Sequence, residues 1–262
     1  MAKIGIIITS FERNELLTKC LDSLNKFNLS NCEIIVVDQS KEYNGDWVSG
    51  CHYYKLPFNS GLSVCRNYGV QKAKELGCDY VIIGSDSFLF NESIQKINEI
   101  VDLLKSSDYS FCGFELTNCI CGWEAKLKLI EGQAFELDFI DKNNTNNDLW
   151  ALRSDTQSRC YEVDICRNFF IAKIDMLLNV QWDENFRLLE HEDFFYRVKQ
   201  TGYKGLWTNY IIAEKMTDRP HEYKELREKN MREGRIYLQK KWDITGWVKY
   251  IGLDKAKEYY AK

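Results

Sequence analysis

The residues with the most chemical potential are acids that end apolar runs. Tyr80-Val81-Ile82-Ile83-Gly84 leads straight into Ser85-Asp86-Ser87, and apolar residues resume at Phe88, Leu89 and Phe90. That pattern predicts a buried parallel strand ending at a small acidic tip. Ligands of open α/β sheets sit outside the carboxyl ends of such strands. A carboxylate there can hold a metal ion or a sugar hydroxyl. Glu33-Ile34-Ile35-Val36-Val37-Asp38 repeats the arrangement. Asn59, Gly61, Arg66 and Asn67 form a third polar group. Gly61 permits close backbone approach, and the planar, permanent charge of Arg66 suits phosphate. Further on, His191-Glu192-Asp193 opens a helix after Leu188-Leu189. Each group also has a plain structural reading: a strand-end turn, a surface arginine, or acids favoured by a helix dipole.

The elements that must position these groups follow from periodicity. Residues 3–9 are a continuous apolar run, the first strand. Residues 10–13 are a polar turn, and Asn14 can cap the next helix. Leu16, Leu17, Cys20, Leu21 and Leu24 form its apolar stripe. The run to Asp38 is the second strand, so a right-handed crossover makes a parallel pair. Residues 52–56 predict a third, shorter strand. Leu62, Cys65, Gly69 and Ala73 recur at helical spacing, and Asn91 caps a helix with Ile94, Ile97, Val101 and Leu104 inward. Strand–helix alternation over the first ~105 residues argues a doubly wound α/β sheet.

The second half is less regular. Residues 110–116 and 164–172 read as strands, 141–148 as a polar mobile loop, and 192–200 as a short helix carrying Phe194, Phe195 and Val198. Residues 222–241 hold seven Lys or Arg and four Glu and predict a charged helix. This divides the chain into a domain over 1–221, with halves 1–110 and 111–221, and a helical extension over 222–262.

Bulk properties exclude several classes. The net charge of -4 excludes non-specific nucleic-acid binding by the whole chain, and a local basic face stays open. Met1-Ala2-Lys3 leads directly into the first strand without a secretory signal, and no apolar run reaches the ~18 residues of a membrane span. The 10 cysteines lie mostly in apolar segments and include no C-x-x-C pair. With His52, His191 and His221 they make no zinc spacing. The expectation is a soluble protein in a reducing, cytoplasmic compartment. No G-x-G-x-x-G follows the first strand, which excludes the dinucleotide reading.

Four ordered motifs resemble those of GT-A fold glycosyltransferases, close to the large inverting family 2. They are Ile6-Ile7-Ile8-Thr9-Ser10-Phe11-Glu12-Arg13, Ile34-Ile35-Val36-Val37-Asp38, Asn59-Ser60-Gly61-Leu62-Ser63-Val64-Cys65-Arg66-Asn67 and the Ser85-Asp86-Ser87 tip. A fifth, Asn168-Phe169-Phe170-Ile171-Ala172 with His191-Glu192-Asp193-Phe194-Phe195, resembles the β-1,4-N-acetylgalactosaminyltransferase-type branch. The resemblance spans roughly residues 3–215. It implies a Rossmann-like, mostly parallel sheet and a nucleotide-sugar donor, a UDP-sugar. Thr9, Phe11 and Arg13 would lie near base and ribose, Asp38 on the nucleoside, and Asn59, Gly61 and Arg66 beside the donor. Ser85, Asp86 and Ser87 would lie at its pyrophosphate. The second acid of the family's Glu-Asp pair is the base that deprotonates the acceptor hydroxyl. It falls on Asp193, with Glu192 as runner-up.

One motif departs from the family. The usual metal site is Asp-x-Asp, and here Ser85 and Ser87 flank a single Asp86. Many members add a histidine after the last core strand, where Lys215 stands, six residues before His221. Two readings follow. Asp86 with His221 could hold Mn²⁺ or Mg²⁺. Alternatively Lys215, or a basic residue of the C-terminal helix, replaces the metal. The acceptor is a glycan or another hydroxyl compound, a modified nucleic-acid base included. The competing class is a catalytically weakened nucleotide-sugar- or glycan-binding module, which the eroded tip favours and the Glu192-Asp193 pair opposes.

Overall fold

A computed structural model describes residues 1–42, 50–119, 123–141, 158–217 and 221–252, with side chains of the last segment from Tyr223 onward. The chain opens with β1 (Ile4–Ser10), α1 (Asn14–Asn25), β2 (Cys32–Asp38), β3 (His52–Lys55), α2 (Leu62–Glu75) and β4 (Tyr80–Ser85). β5 (Phe88–Phe90), a 3-10 turn at Glu92–Lys96, α3 (Ile97–Lys105) and β6 (Tyr109–Thr117) follow. Then come β7 (Ala125–Ile130), β8 (Ala134–Phe139), β9 (Cys160–Val163), β10 (Phe170–Lys173), α4 (Ile174–Val180), α5 (His191–Gln200), β11 (Lys204–Lys215), α6 (His221–Trp242) and β12 (Val248–Ile251).

The main sheet has the order β3-β2-β1-β4-β10-β6-β11-β5, with β9 on β11. β3, β2, β1 and β4 are mutually parallel, and β10 runs antiparallel to both of its neighbours. Successive strand residues face opposite sides, so Ile7 joins one core and Ile6 and Ile8 the other. Cys65, Val70 and Ala73 of α2 and Phe194 and Phe195 of α5 fill the first core. Leu17, Cys20 and Leu21 of α1 and Ile97, Val101 and Leu104 of α3 fill the second. Helices therefore cover both faces, as an α/β sheet of buried strands requires.

The connections after β1 and β4 leave on the same side, because those strands are parallel with Thr9 opposite Ser85. β2 and β4 lie on either side of β1. The chain thus switches direction there and opens a crevice at the carboxyl ends.

Several details differ from expectation. Asn14 is the first helical residue of α1, after Arg13 at the cap position, while Asn91 caps as expected, its side chain accepting from Ser93 N at 2.9 Å. The strand expected over 164–172 is confined to Phe170–Lys173, because Arg167 and Asn168 turn toward the crevice. The charged helix over 222–241 is present as α6, but a strand follows it. β12 pairs in parallel with β8 in a second sheet, β12-β8-β7. The polar loop expected at 141–148 lies, from residue 142 on, outside the described residues. Among the described residues, no helix is long and apolar enough to cross a membrane.

Candidate active site

A cleft of about 390 Å³ opens at the carboxyl ends of β1 and β4. That lies within the roughly 300–1,000 Å³ usual for small-molecule sites. Thr9 lines it from the end of β1, Phe11 and Arg13 from the turn that follows, and Ser85 and Ser87 from the tip of β4. Asn59 and Gly61 come from the approach to α2, Arg66 from within α2, Glu192 from α5 and Lys215 from the end of β11. The fold therefore gathers most of the residues singled out in the sequence. Asp38, Asp86 and Asp193 do not line the cleft, and neither does Asn67, whose amide bonds to Trp182 and Glu184.

Asp86 lies beneath the floor, fully buried. Arg13 grips it with two guanidinium nitrogens, Nε at 3.2 Å. The Ser10 hydroxyl donates to it at 3.2 Å, Ser85 at 3.1 Å and Phe11 N–H at 3.4 Å. Burial pushes its carboxyl up from the ordinary value, and Arg13 acts in the other direction. The Ser85 and Ser87 hydroxyls lie 3.1 Å apart. The donor set around Asp86 does not fit a divalent ion: an arginine already occupies the carboxylate that would ligate it. Among the described residues, no three His, Cys, Asp or Glu side chains come together in a way that could hold a metal. His221 opens α6, and its side chain is outside the described residues.

Asp38 is also fully buried. It accepts from Ser40 N–H at 2.9 Å, the Ser40 hydroxyl at 2.6 Å and Tyr53 at 2.5 Å. Ser40 receives Glu12 N–H at 2.7 Å, so Asp38 ties the turn after β2 to the turn after β1. The next residue, Gln39, reaches the cleft and accepts from Gly61 N–H at 2.7 Å. Gly61 has φ +102, and a Cβ there would sit 2.9 Å from Arg187 Cα, so only glycine fits.

Arg66 lines the cleft but is committed to Glu190 in a buried ion pair and lies over Trp182 at 5.4 Å. Asn168 Nδ2 donates to the same Glu190 oxygen at 3.2 Å. Burial pushes Glu190 up, and Arg66, His191 and a backbone N–H together outweigh it, leaving the carboxyl below its ordinary value. Asn168 Oδ1 then faces His191 Nδ1 at 3.0 Å. That assigns the proton to Nδ1, because an amide oxygen only accepts. Desolvation brings the His191 imidazole down to about 4, so the ring is neutral.

Glu192 and Asp193 diverge. Glu192 is buried against the cleft, and neither of its carboxylate oxygens has a hydrogen-bond partner. Burial pushes it up to about 8, with Glu190 adding to the rise. The indole N–H of Trp247 is beside it without reaching hydrogen-bond geometry. Asp193 instead accepts from Arg197 Nε at 2.9 Å, Trp242 Nε1 at 2.9 Å and Lys241 Nζ at 2.7 Å. Consecutive helix residues lie about 100° apart, so one acid can face the cleft while the next faces α6. Asp193, expected as the base, is not brought to the cleft: three donors hold its carboxylate elsewhere.

The sequence reading missed Glu190, Trp123 and Trp247, all in the lining, and met Arg227 only as an unspecified basic residue of the C-terminal helix. The i,i+4 spacing of Asp193 and Arg197 was a readable sign that Asp193 serves structure. No local signal marks Arg227, whose place depends on how α6 docks.

This sheet order, switch-point cleft and two-faced helix cover define an α/β protein of the GT-A type. The sequence matches Glycosyl transferase family 2 over residues 5–158, more than half of the chain, and the chain belongs to that family. Beta-1,4 N-acetylgalactosaminyltransferase 2 of Mus musculus is 25% identical over 201 residues, covering 73% of this chain and 35% of the relative. The chain thus spans about a third of that relative's length. Among solved structures, GalNAc-T7 with UDP, GalNAc and Mn²⁺ superposes with a TM-score of 0.62 at 13% identity, over 83% of this chain and 44% of that one. S. aureus TarS in complex with UDP gives 0.50 at 14% identity, over 90% and 65%. Those two likenesses show the shared fold.

Proposed function

We propose that the chain is a glycosyltransferase that moves a sugar, with inversion, from a UDP-sugar to a hydroxyl of a glycan acceptor. Family membership and the position of the cleft support the donor class. Structural neighbours crystallised with UDP fit it. Residues 1–110 would hold the nucleotide, and residues 111–221 would carry the acceptor and the base.

The observation that carries the reading is Glu192, a buried carboxyl with unpartnered oxygens facing a cleft otherwise rich in cations. In the reaction the acceptor oxygen attacks the anomeric carbon while the bond from that carbon to the diphosphate oxygen breaks. The acceptor proton passes to Glu192, and the electron pair leaves with the nucleoside diphosphate. A carboxyl near 8 has a high proton affinity for this step, at the cost of a smaller ionised fraction at neutral pH. Trp123, 5.4 Å from the His191 ring, and Trp247 give aromatic faces beside Glu192. An acceptor sugar ring can lie against them.

A non-catalytic binding module is the second reading, favoured by the full engagement of Asp86 and Asp193 with protein donors. Incubation with a panel of UDP-sugars and glycan acceptors, with the product anomer read by NMR, separates the two. The transferase reading expects an anomer opposite to the donor's. Retention, or binding without any transfer or donor hydrolysis, overturns it.

A further inference from the structure

On the donor reading above, we infer that this chain neutralises the diphosphate with its own side chains instead of a divalent metal, and that α6 contributes Arg227 to that clamp. The first observation is the sealed tip of β4. Ser10, Phe11 N–H, Ser85 and Arg13 already donate to Asp86, and Arg13 occupies the position from which a cation would be ligated. A metal ion would have to displace a guanidinium from a fully buried carboxylate, leaving two like charges together.

The second observation is the sign of the cleft. Its lining holds Arg13, Arg66, Arg167, Arg187, Lys215 and Arg227 against two carboxylates, Glu190 and Glu192. Arg66 is spent on Glu190. Arg13 and Lys215 reach the cleft beside the tip of β4, and Arg227 reaches the same cleft from α6, each by an independent route. Arg13 is fixed by Asp86. Lys215 lies opposite Phe88 in the β11–β5 ladder, and Met216 N–H donates to Ser87 O at 2.8 Å. Arg227 is one helical turn beyond Tyr223, whose ring lies 4.7 Å beneath the Arg13 guanidinium. Residues four apart share a helix face, and Tyr223, Arg227, Asn230 and Met231 all line the cleft.

The third observation concerns Arg227 itself. Its hydrogen-bond partner in the described structure is the Met231 thioether, at 2.8 Å. A thioether is a weak acceptor, and a phosphate oxygen would replace it with a charge-assisted bond. The docking of α6 holds this residue over the cleft: Asn230 Nδ2 donates to Asn59 Oδ1 at 2.8 Å, and Gly234 lies against the Leu188 carbonyl. A helix that reads in sequence as a solvated charged face is thereby the fourth wall of the donor site.

The test is calorimetric titration of the full chain with UDP, GDP, CDP and ADP, in chelator and in excess Mn²⁺. UDP affinity is expected to differ by less than twofold between the two conditions. Arg227→Gln is expected to weaken UDP by about 10- to 100-fold in both conditions, with uridine affinity and the melting temperature unchanged. UDP binding at least tenfold tighter in Mn²⁺ overturns the metal-free clamp and leaves the donor reading standing. Normal UDP affinity in Arg227→Gln overturns the role of α6. Binding of none of the four nucleotides overturns the donor reading and the clamp together.

Discussion

Glu192 and Asp193 are adjacent in the chain, and their carboxylates serve different parts of the molecule. Glu192 faces the cleft with both oxygens unpartnered, and Asp193 is closed in by Arg197, Lys241 and Trp242. Asp193 thereby fastens the end of α6 to α5. This relationship separates the proposed base from its neighbour and makes the two acids distinguishable by substitution.

Asp193→Asn keeps the shape of the side chain and removes the charge that binds Arg197 and Lys241. Their charges stay partly solvated, so the loss is that of a charged hydrogen bond, about 1.5–3 kcal/mol, and less than that of a wholly buried pair. The expected outcome is a lower urea midpoint with near-normal transfer per folded molecule. A stable protein without activity would return the base to Asp193.

The pH dependence follows from Glu192 and His191. A base at about 8 makes the transfer rate rise with pH through that value and level off above it. The stability sign is opposite. The folded Glu192 holds its proton above the unfolded value, so its contribution is complete below about 4.5 and is lost as pH rises through about 8. His191, held down to about 4, adds stability above its ordinary 6.5 that is lost as pH falls toward 4. Urea midpoints across pH 4–9 should therefore peak between these limits. Glu192→Gln should flatten the alkaline limb. An unchanged alkaline limb in that variant would contradict the assignment.

Gly234 is where α6 meets the loop before α5. A Cβ there would stand 2.3 Å from Leu188 O, a backbone atom that cannot swing aside. Gly234→Val should lower stability by about 1–3 kcal/mol through overpacking. It should also weaken UDP binding, because Tyr223 and Arg227 ride on the same helix. Melting temperature and UDP affinity measured together check this. A destabilised variant with normal UDP affinity would show that α6 is no part of the donor site.

Much of the fold was legible because β1, β2 and β4 are continuous apolar runs buried on both faces. β7 and β8 carried a weaker but readable sign. Leu127 and Leu129 alternate with Lys126 and Lys128, and Phe135, Leu137 and Phe139 with Glu136 and Asp138. Their charges obscured the period of two. The cleft was legible as a set of strand ends, and ten of the residues singled out do line it. What the sequence could not show is long-range pairing. Arg13 and Asp86 are 73 residues apart, and nothing local says that one closes off the other. The choice between two consecutive acids likewise depends on Lys241 and Trp242, brought in from the far end of α6.

The transfer rate of Glu192→Gln tests most directly whether Glu192 is the base. This variant keeps the side chain's size and removes the oxygen that takes the proton. In single-turnover transfer from a UDP-sugar at saturating acceptor, the rate should fall by about 10² to 10⁴, the range of a positioned base. UDP affinity in the same preparation should remain normal. A Glu192→Gln enzyme that transfers at the wild-type rate would contradict the central claim.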